Sequence, residues 1–313
     1  MNEKVFLALR NIYEHDEVSN SSIINELINE DYISSDGTSL TQKGINAISP
    51  YKVNNAIIMA AGYSARCMPL SNVIPKGLFR IKGDILIERE IEQLIASGIT
   101  NIIVVIGYLA DKFEYLKDKY SNINISLVYN KDYNKYNNIA SLFCVKELIG
   151  NSYILCSDNY FSENIFHSYV YHSYYSCVYT VEYADEYCVT SVDRENNING
   201  IKRGGSNCWY TIGDAYFDND FSNIFVNYLE EEWSDYSIRN MLMDDFHIRH
   251  IDYLKLRKVE RPRDLVYEFD TIQEIKGFDK DFNKFENENL SVNNVNKVFS
   301  KYETVKSYHS VPT

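Results

Sequence analysis

From residue 55 onward, short unbroken apolar runs alternate with stretches whose apolar residues recur at helical spacing. The runs are Ala56–Ala60, Asn101–Ile106, Ile125–Tyr129 and Tyr153–Cys156. Runs that are apolar on both faces read as buried parallel strands. Between them, Asp84–Ser97, Asp111–Tyr120 and Asn138–Leu148 read as helices. In the first, Ile85, Leu86, Ile91, Leu94 and Ile95 form the buried side and Gly98 ends it. This alternation predicts an α/β fold with a doubly wound, mostly parallel (mixed) sheet and ligands at the C-terminal ends of its strands.

The second half is richer in β-formers. Ser176–Glu182, Cys188–Val192 and Trp209–Phe217 read as strands, and Asp220–Trp233 as an amphipathic helix. Ile248–Leu254 and Val266–Phe269 read as late strands, which puts His247 and His250 on a strand in structural roles. Thr271 caps a final helix before Gly277, and Ser291 can cap one more helix reaching Tyr302. No internal repeat is present.

The first fifty residues have their own pattern. Val5–Tyr13 has helical spacing. Ser19 or Asn20 can cap a second helix, Ser22–Asn29. Tyr32-Ile33 and Ser39-Leu40-Thr41 flank Asp36-Gly37, a hairpin signal, and Gly44 lies in a third short helix. This resembles a small winged helix-turn-helix domain, which implies DNA binding. Charge opposes that reading: residues 1–50 carry three basic and eight acidic side chains. The candidate recognition helix has no Arg or Lys to meet phosphate or a guanine edge. A protein-contact or regulatory module fits better. The expected division is residues 1–52 for this domain, 53–280 for the α/β domain and 281–313 for a polar tail or linker.

Composition narrows the setting. The chain has 313 residues, 45% of them hydrophobic, enough for a real core. A formal net charge of −13 does not suit life on nucleic acid or an anionic membrane. No apolar stretch is long enough to span a bilayer and no signal peptide is evident. Six cysteines without CxxC spacing fit reduced, buried thiols in a cytoplasmic protein.

Candidate chemistry begins where the first strand breaks into small residues, Ala60-Ala61-Gly62-Tyr63-Ser64, followed by Arg66 and Pro75-Lys76. Small residues let backbone approach a ligand, and successive N–H groups can cradle anions. Arg66 and Lys76 would add charge for a polyphosphate. A phosphate loop and an ordinary strand–turn with two solvated cations both satisfy this pattern. Asp158 follows a buried strand, where a carboxylate either holds Mg²⁺ against phosphates or forms a turn. Glu268 and Asp270, if extended, share one strand face and repel unless a cation joins them. No Ser-His-Asp or Cys-His arrangement is recognisable.

Ala60-Ala-Gly62, Arg66 and Pro75-Lys76 resemble the signature of the sugar-nucleotide-type nucleotidyltransferases, in which Arg and Lys contact the triphosphate as pyrophosphate leaves. That family has a second glycine where Ser64 stands. Asn130-Lys-Asp-Tyr133, Asn137-Asn138, Ser141-Leu142, Asp158-Asn159-Tyr160 and Tyr267-Glu-Phe-Asp270 follow in order. Together these pieces, over residues 55–278, resemble the small bacterial CTP:phosphocholine cytidylyltransferases of the LicC type.

The resemblance implies a nucleotidyltransferase fold and Mg²⁺-dependent transfer of CMP from CTP to phosphocholine. Catalytic roles fall to Lys76, Arg66 and Asp158, and nucleotide contacts to Ala60, Ala61, Gly62, Tyr63, Ser64, Arg66, Lys76, Asn138 and Ser141. Metal contacts fall to Asp158, Glu268 and Asp270. Candidates for holding the acceptor are Tyr133, Asn159, Tyr160, Asp185, Tyr187, Trp209, Tyr210 and Asp214. Tyr187 stands where a family tryptophan is expected, and Gly213 where another aromatic is. Phosphoethanolamine, 2-aminoethylphosphonate or a sugar phosphate are alternative acceptors. A transcription regulator with a degenerate transferase fold is the alternative of another class, opposed by the retained Arg66, Lys76, Asp158, Glu268 and Asp270. The polar end also looks like a linker to a choline-kinase-like domain.

Overall fold

A computed structural model describes residues 1–16, 18 and 21–291. The expected caps Ser19 and Asn20, and residues 292–302 of the expected last helix, lie outside the described residues.

Three helices open the chain: α1 (Glu3–Glu14), α2 (Ser21–Asn29) and α3 (Gln42–Ile48). Asn2 starts α1 by accepting the Val5 N–H at 2.9 Å, and Phe6, Leu9 and Ile12 form its buried stripe. Ile33 and Leu40 pair as an antiparallel bridge across the Asp36-Gly37 turn. This helical unit is consistent with the expected winged-helix-like domain.

The α/β body follows as β1 (Asn55–Ala60), the hairpin β2 (Arg80–Ile81) and β3 (Asp84–Ile85), α4 (Leu86–Ala96), β4 (Asn101–Ile106), α5 (Tyr115–Lys119), β5 (Asn124–Tyr129), α6 (Ile139–Cys144), β6 (Ser152–Cys156) and β7 (Asn159–Phe161). Then come β8 (Tyr174–Thr180), β9 (Ala184–Val192), β10 (Ile198–Gly205), β11 (Cys208–Phe217), α7 (Asn219–Glu232), α8 (Tyr236–Arg239), α9 (Met243–Arg249), β12 (Arg257–Arg261), β13 (Val266–Glu268), α10 (Ile272–Phe278) and α11 (Phe282–Leu290).

Among the described residues, one mixed sheet runs in the order β10-β9-β11-β6-β1-β4-β5, with β8 pairing β11 and β12. β1 is parallel to both β4 and β6, while β11 closes antiparallel on β6. Alternation along β1 serves two cores. Ala56, Ile58 and Ala60 pack on the α4 side, and Ile57 packs on the other with Phe221, Phe225 and Phe246.

Several expectations need correction. The helix expected from Asp84 starts at Leu86, because Asp84 and Ile85 form a hairpin strand turned by Gly83 at φ 93. The helices expected over 111–120 and 138–148 are broken into short α and 3₁₀ turns. The strand expected over Ile248–Leu254 is the end of α9 and a turn. The buried positions of α9, Met243, Phe246 and His247, recur at helical spacing, and Asp244 and Asp245 favour a helix N-terminus. His247 and His250 are therefore at a helix end, both buried. β10 gave no apolar signal because it is an edge strand carrying Lys202, Arg203 and three glycines. The polar tail begins with α11, whose Phe282 is fully buried beside Phe79 and whose C-cap is Ser291.

Cys188 and Cys208 form a disulfide between β9 and β11, with Cα atoms 5.8 Å apart. This corrects the expectation of reduced thiols throughout. Among the described residues no helix is long and apolar enough to cross a membrane.

The helical unit docks on the body through rings and two carboxylates, Glu14 and Glu3, the latter accepting from Arg257 Nη1 at 2.8 Å. Phe6, Tyr51 and Tyr171 stack with centroids 4.8–5.0 Å apart. Glu14 accepts the Ser168 N–H at 2.8 Å and meets His167 Nδ1 at 2.7 Å.

Candidate active site

β1 and β6 lie side by side in parallel, with Met59 opposite Cys156. Their C-terminal ends therefore deliver the loop after Ala60 and the Ser157-Asp158 turn to the same edge of the sheet. Ser157 N–H donates to the Met59 carbonyl at 3.2 Å and closes the join. Gly77 lets the Pro75-Lys76 turn approach, since a Cβ there would lie 2.9 Å from the Ser157 side chain. Ser64 adopts φ 48 and ψ 50, the left-handed conformation that suits glycine. This explains why a glycine is expected at that point.

Lys76 is the centre of the charge arrangement. Its side chain is 6% exposed, and Nζ lies 2.8 Å from Asp158 Oδ2 and 4.0 Å from Asp270 Oδ1. Burial alone would lower its pKa, but Asp158 reverses this and holds it above the ordinary lysine value. Arg66 Nη2 donates to Asp270 Oδ1 at 2.6 Å from an exposed position. Asp270 reaches the site because Thr271 and Glu274 form a capping box at the start of α10, and Glu274 also accepts the Asp270 N–H at 2.7 Å. Glu268 faces the same cleft. Its surface is open to the cleft, but the surrounding walls and the nearby Asp158 and Glu186 carboxylates push it well above the usual carboxylate range, against Lys76.

Two cavities meet here. The first, about 270 Å³, is lined by Ala60, Ala61, Gly62, Ser64, Lys76, Tyr133, Asn138, Ser141 and Asp158. Asn130 donates to Ser141 Oγ at 3.2 Å behind this wall, and the Tyr63 ring sits 5.4 Å from that of Tyr133 at the rim. The second, about 350 Å³, is lined by Arg66, Asp185, Glu186, Tyr187, Arg203, Asp244 and Glu268. Met59, Asn138 and Cys156 line both. Asn138 is fixed there by the Met243 N–H, which donates to its Oδ1 at 2.8 Å.

The second cavity is crowded with negative charge. Burial pushes Asp244 up to about 6, only partly offset by the Thr211 hydroxyl that donates to its Oδ1 at 3.3 Å. Burial and the Asp270 charge raise Glu186 as well. Tyr187 lines the cavity and donates its hydroxyl to Asp245 at 2.6 Å.

Other acceptor candidates stand elsewhere. Tyr133 lines the first cavity rather than the second. Tyr160 is buried under the Arg89 guanidinium and against Phe278. Trp209 packs on Tyr179 and under Lys258. Tyr210 packs against the core on the α4 side, and Asn159 is buried. Asp214 is buried and accepts from Ser176. Glu186, Arg203, Thr211 and Asp244 were not anticipated. Met243-Asp244 gave a signal only as a helix start, which the strand assignment nearby concealed.

Among the described residues no trio of acidic, imidazole or thiol side chains converges tightly enough to hold a metal by itself. The donors that face the cleft are hard carboxylate oxygens, the type Mg²⁺ uses together with substrate phosphates.

Residues 55–203 match the family model "Nucleotidyl transferase". A choline-phosphate cytidylyltransferase of Streptococcus pneumoniae is 31% identical over 71% of this chain and 95% of its own length. A 2-aminoethylphosphonate cytidylyltransferase of Lancefieldella rimae is 29% identical over 76% of this chain and 95% of its own. The solved structure of the Streptococcus pneumoniae CTP:phosphocholine cytidylyltransferase LicC superposes with a TM-score of 0.68 at 30% identity, covering 72% of this chain and 97% of that one. With that identity over most of both chains and the same fold, the chain belongs to the LicC-type CTP:phosphocholine cytidylyltransferases, a group of nucleotidyltransferase enzymes.

Proposed function

We propose that the chain transfers CMP from CTP to phosphocholine, giving CDP-choline and pyrophosphate, with CTP in the first cavity and the acceptor in the second. The observation that carries this reading is the adjoining pair of cavities: Lys76 and Asp158 line the first, Arg66 and Glu268 the second, and Met59, Asn138 and Cys156 line both. Reacting groups held in adjoining pockets need only be brought into line, which removes much of the entropic barrier.

In this reading a phosphate oxygen of the acceptor attacks the α-phosphorus, and the bond to the β-phosphate oxygen breaks. Lys76 and Arg66 stabilise charge developing on the phosphates. The acceptor oxygen is already ionised, so no general base is required. The loop from Ala60 to Ser64 supplies backbone N–H groups to the triphosphate. Asp158 and Asp270, with Glu268 through water, would hold Mg²⁺. Bound there, Mg²⁺ would neutralise phosphate charge as a Lewis acid. Residues 1–52 form a regulatory or protein-contact domain, 53–280 the transferase and 281–313 a polar tail or linker that begins with α11. With its acidic excess the N-terminal domain is not a nucleic-acid reader.

The test is pyrophosphate release from CTP, UTP, ATP or GTP, each with phosphocholine, phosphoethanolamine, 2-aminoethylphosphonate or a sugar 1-phosphate. CTP with phosphocholine should turn over. Faster turnover with sugar 1-phosphates, or with another nucleotide, would overturn the reading.

A further inference from the structure

We infer that the cavity between the β2–β3 hairpin and the α10–α11 turn is an anion-binding site, and that it takes a ligand with two or more linked phosphoryl groups. It shares no lining residue with either cavity of the transferase site.

The cavity is about 670 Å³, larger than either of those two. Two stretches 197 residues apart are pinned together to make it. The Lys82 N–H donates to Asp279 Oδ2 at 2.7 Å, and the Asp281 N–H donates to Asp279 Oδ1 at 3.0 Å. Asp279 is buried, and each of its carboxylate oxygens receives a backbone donor, so it serves as framework. Behind it the buried Phe282 ring packs on Phe79, with centroids 5.8 Å apart. Lys82 Nζ lies over the Phe278 ring, 4.6 Å from its centroid.

Four cations converge on this frame. Arg80 and Lys82 come from the hairpin, and Lys280 and Lys284 from the turn into α11 and its first residues. Among the described residues none of the four forms an ion pair. Cations close by on the same elements do: Arg89 pairs with Asp84 at 2.7 Å and Lys276 with Glu286 at 2.6 Å. Asp281 and Glu288 line the cavity too, yet neither forms an ion pair with a cation there. The chain carries a net charge of −13, so carboxylates are not scarce. Gathering four unpaired like charges on one cavity costs Coulomb energy that an anion would relieve.

The lining defines the anion. All four cationic side chains are exposed and still offer their N–H donors, which suit phosphoryl oxygens. Cations stand on both walls of a cavity several times the size of one phosphate, so a short chain of phosphoryl groups can engage both. The three carboxylates on the lining repel an extended polyanion such as nucleic acid. Phe278 and Phe285 are the only large apolar side chains of the lining, and Lys82 covers the first, so an apolar ligand gains little.

The probe is inorganic tripolyphosphate, with ATP as a second ligand to separate a bare chain from one carried on a nucleoside. Equilibrium dialysis without Mg²⁺, at physiological ionic strength, compares the full chain with the Lys82→Asn/Lys284→Gln double variant. Both side chains are exposed and asparagine tolerates the φ of 54 at position 82, so the melting temperature should hold. The unaltered protein should bind one equivalent of tripolyphosphate more than the variant, with a Kd below about 1 mM, whatever the transferase site itself binds. Binding should weaken as salt is raised, because the cationic heads are in water. In the unaltered protein tripolyphosphate should also protect Lys82, Lys280 and Lys284 from acetylation, read by mass spectrometry, and leave the exposed Lys52 unprotected. ATP bound as tightly as tripolyphosphate would assign the site to nucleotides, and ATP bound more weakly would assign it to the bare chain. Equal stoichiometry in the two folded proteins, or no protection of the three lysines, would overturn the inference. So would binding of a polyglutamate peptide without binding of tripolyphosphate, which would make the cluster a docking surface for an acidic protein. The acetylation pattern gives an answer even where the variant does not fold.

Discussion

Lys76 and Asp158, 82 residues apart in sequence, meet at 2.8 Å with the lysine almost wholly withdrawn from solvent. A buried ammonium must be paired, so the contact has a structural role of its own. Both residues also line the first cavity, whose wall includes Cys156, shared with the second, so the contact carries the catalytic reading. The two roles separate experimentally. Asp158→Asn keeps the shape and removes the charge. Turnover should fall on the order of a hundredfold or more, as for loss of a group that stabilises transition-state charge. The fold should survive, because the amide oxygen can still accept from Lys76. Steady-state rates and melting temperatures with and without Mg²⁺ check this. Near-normal turnover at low Mg²⁺ would remove Asp158 from the mechanism, and loss of activity through unfolding alone would leave it a structural residue.

Ser64 gives a second prediction. A side chain in the left-handed region costs roughly 1–2 kcal/mol, and glycine there loses part of that gain to its own chain entropy. Ser64→Gly should therefore leave stability unchanged or raise it by up to about 1 kcal/mol, with KM for CTP preserved. Ser64→Val adds a β-branched residue at φ 48. It should cost about 1–2 kcal/mol and raise KM for CTP by displacing the loop. Denaturant unfolding with CTP kinetics decides, and a tolerated valine would mean that the loop relaxes freely.

Asp244 sets a pH dependence. Its folded-state pKa of about 6 is above the unfolded value of 3.8, so between those pH values the folded chain holds a proton that the unfolded chain has lost. Stability contributed at this site must fall as pH rises from about 4 to about 6 and stay flat above. Allowing for the partial solvent access of the cavity, the change is on the order of 1–3 kcal/mol. Unfolding free energies of the unaltered chain and Asp244→Asn, compared across that window, should diverge in this direction. A bound acceptor ammonium should restore part of the loss. Parallel curves would mean that Asp244 titrates normally.

The sheet was legible because its central strands, Ala56–Ala60, Asn101–Ile106 and Tyr153–Cys156, are apolar on both faces, and only buried parallel strands read that way. The first cavity was legible for a related reason: its loop and Asp158 follow strand ends. The second cavity was not. Its wall is assembled from Glu186 on β9, Arg203 on an edge strand, Thr211 on β11 and Asp244 on a short helix. Each of those residues is an ordinary surface type, and only sheet register and helix docking bring them together. Trp209 and Tyr210 were equally plausible from sequence, but alternation along β11 turns both toward packing partners.

The N-terminal domain should brace the transferase rather than read DNA. Its ring cluster, Phe6, Tyr51 and Tyr171, spans the boundary, and Glu14 satisfies the Ser168 N–H and His167 of the body. The sheet starts at Asn55, so a chain lacking residues 1–50 should still fold. It would, however, expose Tyr169 and Tyr171, which the intact chain covers, and should be less stable and more prone to associate. Glu14→Ala is the finer probe. It strands a backbone donor and should cost about 1–3 kcal/mol in denaturant unfolding. Glu14 is outside both cavities, so kcat/KM should stay within about twofold. The same intact domain, with eight acidic and three basic side chains over residues 1–50, should give no sequence-specific shift of duplex DNA at nanomolar protein and physiological salt. A specific shift would make it a regulator's reading head. A truncated chain as stable as the intact one would mean that the ring cluster and Glu14 contribute nothing to the body.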